Sequence, residues 1–530
     1  MSGLTEKLLS TWLTNVDERG LQHVFCVLLM RKGHRVVHST VHNAMEMGKD
    51  IVSVNETGEL CVYQLKSTTS DRITQNDFRD DIQPQIRDLT TLAVSVPGVR
   101  RRRPDKAYIV VNAKFREEVH RQIADYNDAG EGCPLGVIGY DEILGDLTCV
   151  GADIWPADVQ LTKDFLELYM DDGHGDLPAE KYSGLMFGLI DDVYRNNIRG
   201  KAAGVRLLTS LAVVAELATT PWRKVNNHWP LIQADCLSLM ASEFVSARWK
   251  ISKQNRSIFN ALYQDRMFSE LRLMSDEICD KEFWQLVTGD EVGGIGSAKI
   301  IHLTAILCLS SMVLNNHEYD EKCRRLIKVC RSQRFLWGEY AVPQILAIIV
   351  WLYRNESSNA AEDWMCWLVG ELLSLTMTQS RIHYPPWQRL DEKVAKDILG
   401  IDDEVSNTGQ TKESHWLETA VRIAVRLNLK TYLKGVWPLI ADSAKLSFFP
   451  DDRLDWLRYK ADKGRNHHQA WVPPHSWSKI INESQGEKPD IELINNDPYL
   501  HLLILLVCPH RINSQWFLCH LRELMGTTWH

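Results

Sequence analysis

The chain of 530 residues contains no Cys-x-x-Cys pair and no cysteine and histidine set at zinc-finger spacing among its 12 cysteines, which argues against a structural zinc site. It also lacks a positive balance. The formal net charge is -9, so any contact with nucleic acid must come from a local basic surface on an acidic protein. Residues 1–13 lack the basic region and apolar run of a secretory signal; a reducing cytoplasm is the expected compartment, with the cysteines as buried small hydrophobes and no disulfides. The longest apolar stretches, 300–314 and 342–353, stop short of the roughly 20 residues that cross a bilayer, so they read as buried helices and no membrane partner is expected. There is no G-x-S-x-G elbow, no H-E-x-x-H helix and no kinase signature. The run Gly293-Gly294-Ile295-Gly296-Ser297 lacks the Gly-Lys-Ser/Thr ending of a phosphate loop and reads as the start of a helix.

What is present is a globular composition, 45% hydrophobic and 24% charged, long enough for two to four domains. Two styles of sequence meet near residue 155. Before it, β-branched runs at 35–40, 51–54, 60–65, 107–112 and 135–139 read as strands. A helix over 17–31 precedes them, with Leu21, Val24, Phe25, Leu28 and Leu29 on one face and Gly33 placed to stop it. The second and third strands are joined by Asn55-Glu56-Thr57-Gly58-Glu59, a hairpin turn, and the next helix falls within 77–94, broken or kinked at Pro84. The order is αβββαβ. Beyond 155 the period is helical throughout, and 16 of the 18 tryptophans lie past residue 160, as bulky core between helical layers. The expected organisation is an α/β domain at 1–155, an all-α, solenoid-like region at 156–404, and a helical subdomain at 405–530.

Chemistry is concentrated in Gly48-Lys49-Asp50-Ile51-Val52-Ser53-Val54 and, after the turn, Leu60-Cys61-Val62-Tyr63-Gln64-Leu65-Lys66. Residues i and i+2 of a strand share a face, so Gln64 and Lys66 point the same way, and pairing across the hairpin brings Asp50 beside them. A carboxylate with an amide or main-chain carbonyl can hold a hard, oxygen-seeking cation, and an ammonium can stabilise charge developing on a phosphate. That combination suits phosphodiester hydrolysis with Mg2+, or Mn2+ in its place.

At these residues the sequence resembles the Mrr-like branch of the PD-(D/E)xK, restriction-endonuclease-like superfamily, whose motif is an Asp followed a strand and a turn later by Gln-x-Lys. The resemblance covers residues 15–145 and includes Leu21-Gln22-His23-Val24-Phe25-Cys26-Val27-Leu28-Leu29-Met30-Arg31-Lys32-Gly33-His34, which looks like the family's first helix and the step into its first strand. It implies Asp50, Gln64 and Lys66 as the catalytic set, with Asp50, Gln64 and the Leu65 carbonyl as metal ligands. The family places a metal-assisting glutamate on the first helix. Here Gln22 stands at that position, with Glu18 one turn earlier and Glu46 before Asp50 as possible substitutes.

Arg100, Arg101, Arg102 and Arg103, with Lys106 and Lys114 as additions, read either as phosphate contacts near a DNA groove or as a solvated loop. The polar side chains Arg72, Gln75, Asn76, Gln83 and Gln85 read mostly as solvent-facing, and His467, His468 and His475 as loop histidines with no metal. The resemblance implies a DNA endonuclease effector of the kind found in bacterial restriction and antiphage systems. It would act on double-stranded DNA, as a homo-oligomer or with a regulatory partner, under the control of its helical region. The rivals are a repair or recombination nuclease, and a helical interaction protein whose nuclease-like domain only binds DNA.

Overall fold

The computed structural model describes residues 2–39, 49–96, 99–151, 154–155, 158–195, 200–280, 294–332, 334–377, 384–390, 394–396, 413–461, 463–470 and 476–525. The chain divides into two compact units, Met1–Ser269 and Glu270–His530.

In the first unit, α1 (Ser2–Asn15) is followed by α2 (Glu18–Arg31), whose first turn is capped by Asp17 accepting the Gly20 N–H at 2.7 Å. Seven strands follow in chain order: β1 (Arg35–Ser39), β2 (Ile51–Val54), β3 (Leu60–Lys66), β4 (Arg72–Ile73), β5 (Lys106–Val111), β6 (Lys114–Phe115) and β7 (Leu135–Ile138). Five of them form one mixed sheet in the order β1-β2-β3-β5-β7, and β4 and β6 pair as a separate short ribbon. β1, β2 and β3 run as an antiparallel meander, while β3, β5 and β7 are parallel. The turn from β2 to β3 is held by the Asn55 side chain, which accepts the N–H groups of Thr57 and Glu59, and Gly58 supplies the positive φ of +85° that the turn needs.

Alternation along the central strand β3 sorts its two faces. Leu60 and Val62 pack in one core with Val52, Phe78, Ile82, Ile86 and Ile109. That side is covered by α3 (Gln75–Asp77), a π-helical turn over Phe78–Ile82 and α4 (Gln83–Thr91), with Pro84 in the first turn of α4. The break expected at Pro84 is therefore realised as a π-turn just before it. The opposite face carries Tyr63, which stacks on Tyr108 at 5.2 Å and meets the edge of Phe25 from α2 at 5.4 Å. Helices α5 (Glu117–Ala129) and α6 (Tyr140–Val150) complete the α/β part.

The packing does not divide at residue 155. Besides its sheet-facing stripe, α2 buries Gly20, His23, Cys26, Val27 and Met30. α7 (Val159–Tyr169), α8 (Ala179–Arg195), α9 (Lys201–Lys224) and α10 (His228–Arg248) follow, and α9 packs directly on α2. A Cβ added to Gly20 would lie 3.3 Å from a carboxylate oxygen of Glu216 in α9. Arg266, from α11 (Lys253–Cys279), bridges the buried carboxylates of Glu216 and Asp235, the latter at 3.1 Å.

The second unit is largely helical: α12 (Gly294–Leu314), α13 (Glu318–Ser332), α14 (Val342–Asn355), α15 (Ser358–Met377), α16 (Leu417–Arg426), α17 (Lys430–Asp442), α18 (Trp477–Glu483), α19 (Glu492–Asn496), α20 (Pro498–Val507) and α21 (Ser514–Met525). The all-α expectation is corrected here. β8 (Glu413–Ser414), β9 (Ala444–Pro450) and β10 (Gly464–Ala470) form a three-stranded sheet, with β9 and β10 as a regular antiparallel pair. Gly-Arg-Asn-His-His-Gln-Ala carries no apolar alternation, and β9 is half-buried along most of its length, so neither shows a period of two. His467 and His468 lie in β10, not in a loop, while His475 lies outside the described residues. Gly294 to Ser297 do open a helix, as expected. Two helical stretches, Lys201–Lys224 and Gly296–Leu314, are long and apolar enough to cross a membrane, but 78% and 67% of their apolar windows are buried within the protein.

Candidate active site

The antiparallel register that pairs Ile51 with Tyr63 puts Asp50 opposite Gln64, one step beyond the end of β2. Two bonds hold it there. The Asp50 N–H donates to the Tyr63 carbonyl at 2.9 Å, and the Asp50 Oδ2 accepts the Leu65 N–H at 2.6 Å. The carboxylate thus takes a main-chain donor that the β2 ladder no longer reaches, a charge-assisted bond that fixes the side chain against β3. Gln64 continues the Leu60 and Val62 face past the apolar core. Its side chain is 6% exposed, and its Oε1 is buried without a hydrogen-bond partner. Lys66 follows on the same face, half-buried, with no ion-pair partner among the described residues. The structure therefore brings Asp50, Gln64, the Leu65 main chain and Lys66 together at one end of the sheet.

Gln22 is also brought in. Its Nε2 donates to the Ser39 Oγ at 2.9 Å and to the Asp50 carbonyl at 3.2 Å, tying α2 to the end of β1 and to the start of β2. Glu18 is half-buried in the first turn of α2, and no hydrogen bond or ion pair joins it to Asp50, Gln64 or Lys66 among the described residues. Glu46 lies outside the described residues. Lys49 is a contributor that the sequence reading missed. It is almost fully buried, its Nζ donates to the Asp88 carbonyl of α4 at 2.7 Å, and burial pulls its pKa below the ordinary lysine value. The lysine fastens the segment before Asp50 to the helix that covers the same core.

A buried amide oxygen without a donor is costly, roughly 1–3 kcal/mol, unless a cation or another donor meets it. Beside a carboxylate it forms part of an all-oxygen donor set, which suits Mg2+ or Mn2+ better than zinc. Among the described residues no group of three or more His, Cys, Asp or Glu stands together as a metal site. Gln64 and the Leu65 carbonyl belong to neither type, so a set built on them needs only Asp50 as its anion.

The arginine run lies elsewhere. Arg102 donates to the Gly58 carbonyl at 2.8 Å and pairs with Asp105 at 3.2 Å, and Lys106 pairs with Glu59 at 2.9 Å. Both are at the hairpin end of the sheet, while Asp50 and Lys66 are at the other, a β3 length of roughly 20 Å away. Arg100, Arg101, Arg102 and Arg103 are all exposed at this hairpin end, and phosphate contact and a solvated loop both remain readings of the run. Lys114 is at the site end, in the β4 and β6 ribbon next to Arg72, and pairs with Asp141 at 2.9 Å. Arg72, Gln75, Asn76 and Gln83 are exposed as expected, whereas Gln85 buries its amide oxygen. In the second unit, His468 bonds Glu413 at 2.7 Å and the His467 ring meets Phe449 at 5.2 Å.

Neither a protein-family model, nor a curated protein, nor a solved structure matches the chain.

Proposed function

We propose that the first unit carries a metal-dependent endodeoxyribonuclease of the restriction-endonuclease-like type, with Asp50, Gln64 and Lys66 as its catalytic set and Mg2+ or Mn2+ as its cofactor. The observation that carries this reading is the unpartnered Gln64 Oε1, buried beside an Asp50 carboxylate that the Leu65 N–H locks in place. The meander leading through a helical crossover into a parallel strand supports the αβββαβ core of that superfamily.

A divalent cation at such a site supplies Lewis acidity to a phosphodiester and a more acidic bound water. Asp50, Gln64 and the Leu65 carbonyl are the groups to hold it. The Leu65 N–H orients the Asp50 carboxylate, and Gln22 fixes the Asp50 main chain through its carbonyl. The Lys66 ammonium, two residues beyond Gln64 on the same face, stabilises charge that grows on the phosphate oxygens during attack. Because Gln22 stands where the resembled family has an acid, Asp50 is the one carboxylate of the set, and a bound cation would draw further oxygens from the DNA phosphate.

Double-stranded DNA is the substrate of this reading. One site cuts one strand, so paired scission calls for two copies related by two-fold symmetry or for a partner protein. Helix α9, packed on α2 that carries Gln22, gives the helical part of the first unit a route to the site, in keeping with a restrained effector of prokaryotic antiphage defence. The test is incubation of purified protein with plasmid, linear and single-stranded DNA in Mg2+ or Mn2+, with chelator controls and measurement of oligomeric state. Chelator-sensitive cutting supports the proposal. DNA binding without cutting in either metal would favour an inert, DNA-binding domain instead.

A further inference from the structure

The second unit contains a cavity of about 510 Å³ between the β9–β10 hairpin, α16 and the N-terminal end of α21. That volume is in the range of small-molecule sites, roughly 300–1,000 Å³. Its walls are aromatic. Trp456 and Trp516 lie 5.4 Å apart, and Phe449, 48% exposed, packs edge to face with His467 and presents the remainder of its ring to solvent. Its floor is ionic. Arg422 and Lys445 both donate to one oxygen of Glu418, at 2.8 and 3.2 Å, so two cations share a single carboxylate. Glu487 stands exposed on the rim, where water screens it.

One ring nitrogen of the lining and one guanidinium behind the lining lack hydrogen-bond partners. Arg511 is 6% exposed with its guanidinium over the Phe448 wall at 5.4 Å, and its Nε and Nη2 make no hydrogen bond. His510 donates its Nε2–H to the Tyr459 carbonyl at 2.6 Å, which leaves Nδ1 as an acceptor, also buried and unpartnered. Burial holds His510 neutral, with its pKa at about 3. An interface built only for stability would pair or omit such groups, since each costs free energy when buried alone. Stacking surfaces, two cations that share one carboxylate and an unused acceptor are together what a ring-bearing anion requires.

We propose that this cavity binds a small anionic ligand with a planar ring, a nucleotide by chemical class. The ring lies against Trp516 and Phe449, and the anionic group turns toward Arg422 and Lys445. This site is independent of the Asp50 site and stands or falls apart from it.

Calorimetric titration of the full chain with AMP, GMP, adenosine and inorganic phosphate tests it. Saturable binding of AMP or GMP is expected, with adenosine and phosphate each at least about 10-fold weaker because each offers half of the contacts. Phe449→Ala and Lys445→Gln should each weaken nucleotide binding about 10-fold, in line with the loss of one stacked ring or one charge-assisted contact. Phe449 is exposed, so its replacement keeps the fold, and an unchanged melting temperature verifies that. Absence of saturable binding by both nucleotides would overturn the proposal. So would phosphate binding as tightly as AMP, or nucleotide binding that neither substitution alters.

Discussion

The Asp50 carboxylate and the Leu65 N–H meet at 2.6 Å, and this one bond ties the loop before β2 to the central strand. Leu65 is fully buried, so its N–H has no solvent to fall back on. Asp50→Ala leaves that donor unmet and should cost roughly 1–3 kcal/mol of unfolding free energy. Asp50→Asn keeps an acceptor oxygen and loses only the charge, so its stability should stay within about 1 kcal/mol of the parent. Urea unfolding of both variants measures the difference, and equal losses would show that the bond holds nothing.

The basic run predicts a separation of affinity from chemistry. Changing Arg100, Arg101 and Arg103 to Ser removes exposed charges without touching the Arg102 contacts to Gly58 and Asp105. If they meet phosphates, DNA affinity falls and its salt dependence flattens, while the cleavage rate at saturating DNA is unchanged, since they sit roughly 20 Å from Lys66. Binding measured at two salt concentrations decides it. Unchanged affinity at both assigns the run to solvent.

Truncation should reveal where the first folding unit ends. A chain stopped after residue 155 loses α9, which packs on the buried apolar helix α2, and Tyr263, whose ring meets the buried His23 at 5.0 Å. Burying apolar side chains is worth roughly 1.5–3 kcal/mol apiece, a large share of a domain's net stability. The 1–155 fragment should therefore be poorly folded by circular dichroism and proteolysis, while a fragment of residues 1–269 should melt cooperatively. A stable 1–155 fragment would show that α9 is dispensable to α2.

These outcomes reflect what the sequence could display. Strands 51–54, 60–66, 106–111 and 135–138 were legible because β-branched runs sit between turn signals, and the hairpin follows from Asn55 and Gly58. The Asp50, Gln64 and Lys66 grouping follows from alternation along β3 together with the hairpin pairing that puts Asp50 opposite Gln64. The outer face of α2 was less visible: Cys26, Val27 and Met30 were a signal that the helix is apolar on all sides, which marks a helix buried all round. The Gln64 acceptor without a partner and the Lys49 tether to Asp88 depend on three-dimensional packing that no local pattern encodes. The same holds for the arginine run, whose distance from Lys66 is set by strand direction and not by proximity in sequence.

Acid should destabilise the second unit through two partly buried histidines, His302 and His510, whose Nδ1 atoms are cut off from solvent. Burial lowers the pKa of His302 to about 4, with Arg389 nearby acting in the same direction, and lowers that of His510 to about 3. Below the ordinary value of 6.5 the unfolded chain takes up protons that the folded chain refuses. Stability from these groups is therefore complete above pH 6.5 and declines as pH falls toward 4 and 3, by about 1.4 kcal/mol per pH unit for each histidine across its window. Urea midpoints at pH 7 and pH 5 should differ, and His302→Gln should lessen the difference. Equal midpoints would mean that these rings protonate freely in the folded protein.

The most direct measurement is the initial rate of supercoiled plasmid cleavage in Mn2+ by the parent protein, by Asp50→Asn and by Lys66→Met, at matched melting temperatures. Loss of a metal-holding charge or of the phosphate-facing cation removes several kcal/mol of transition-state stabilisation, so both variants should cut roughly 1,000-fold more slowly. Asp50→Asn cleaving at the parental rate would contradict the proposed site.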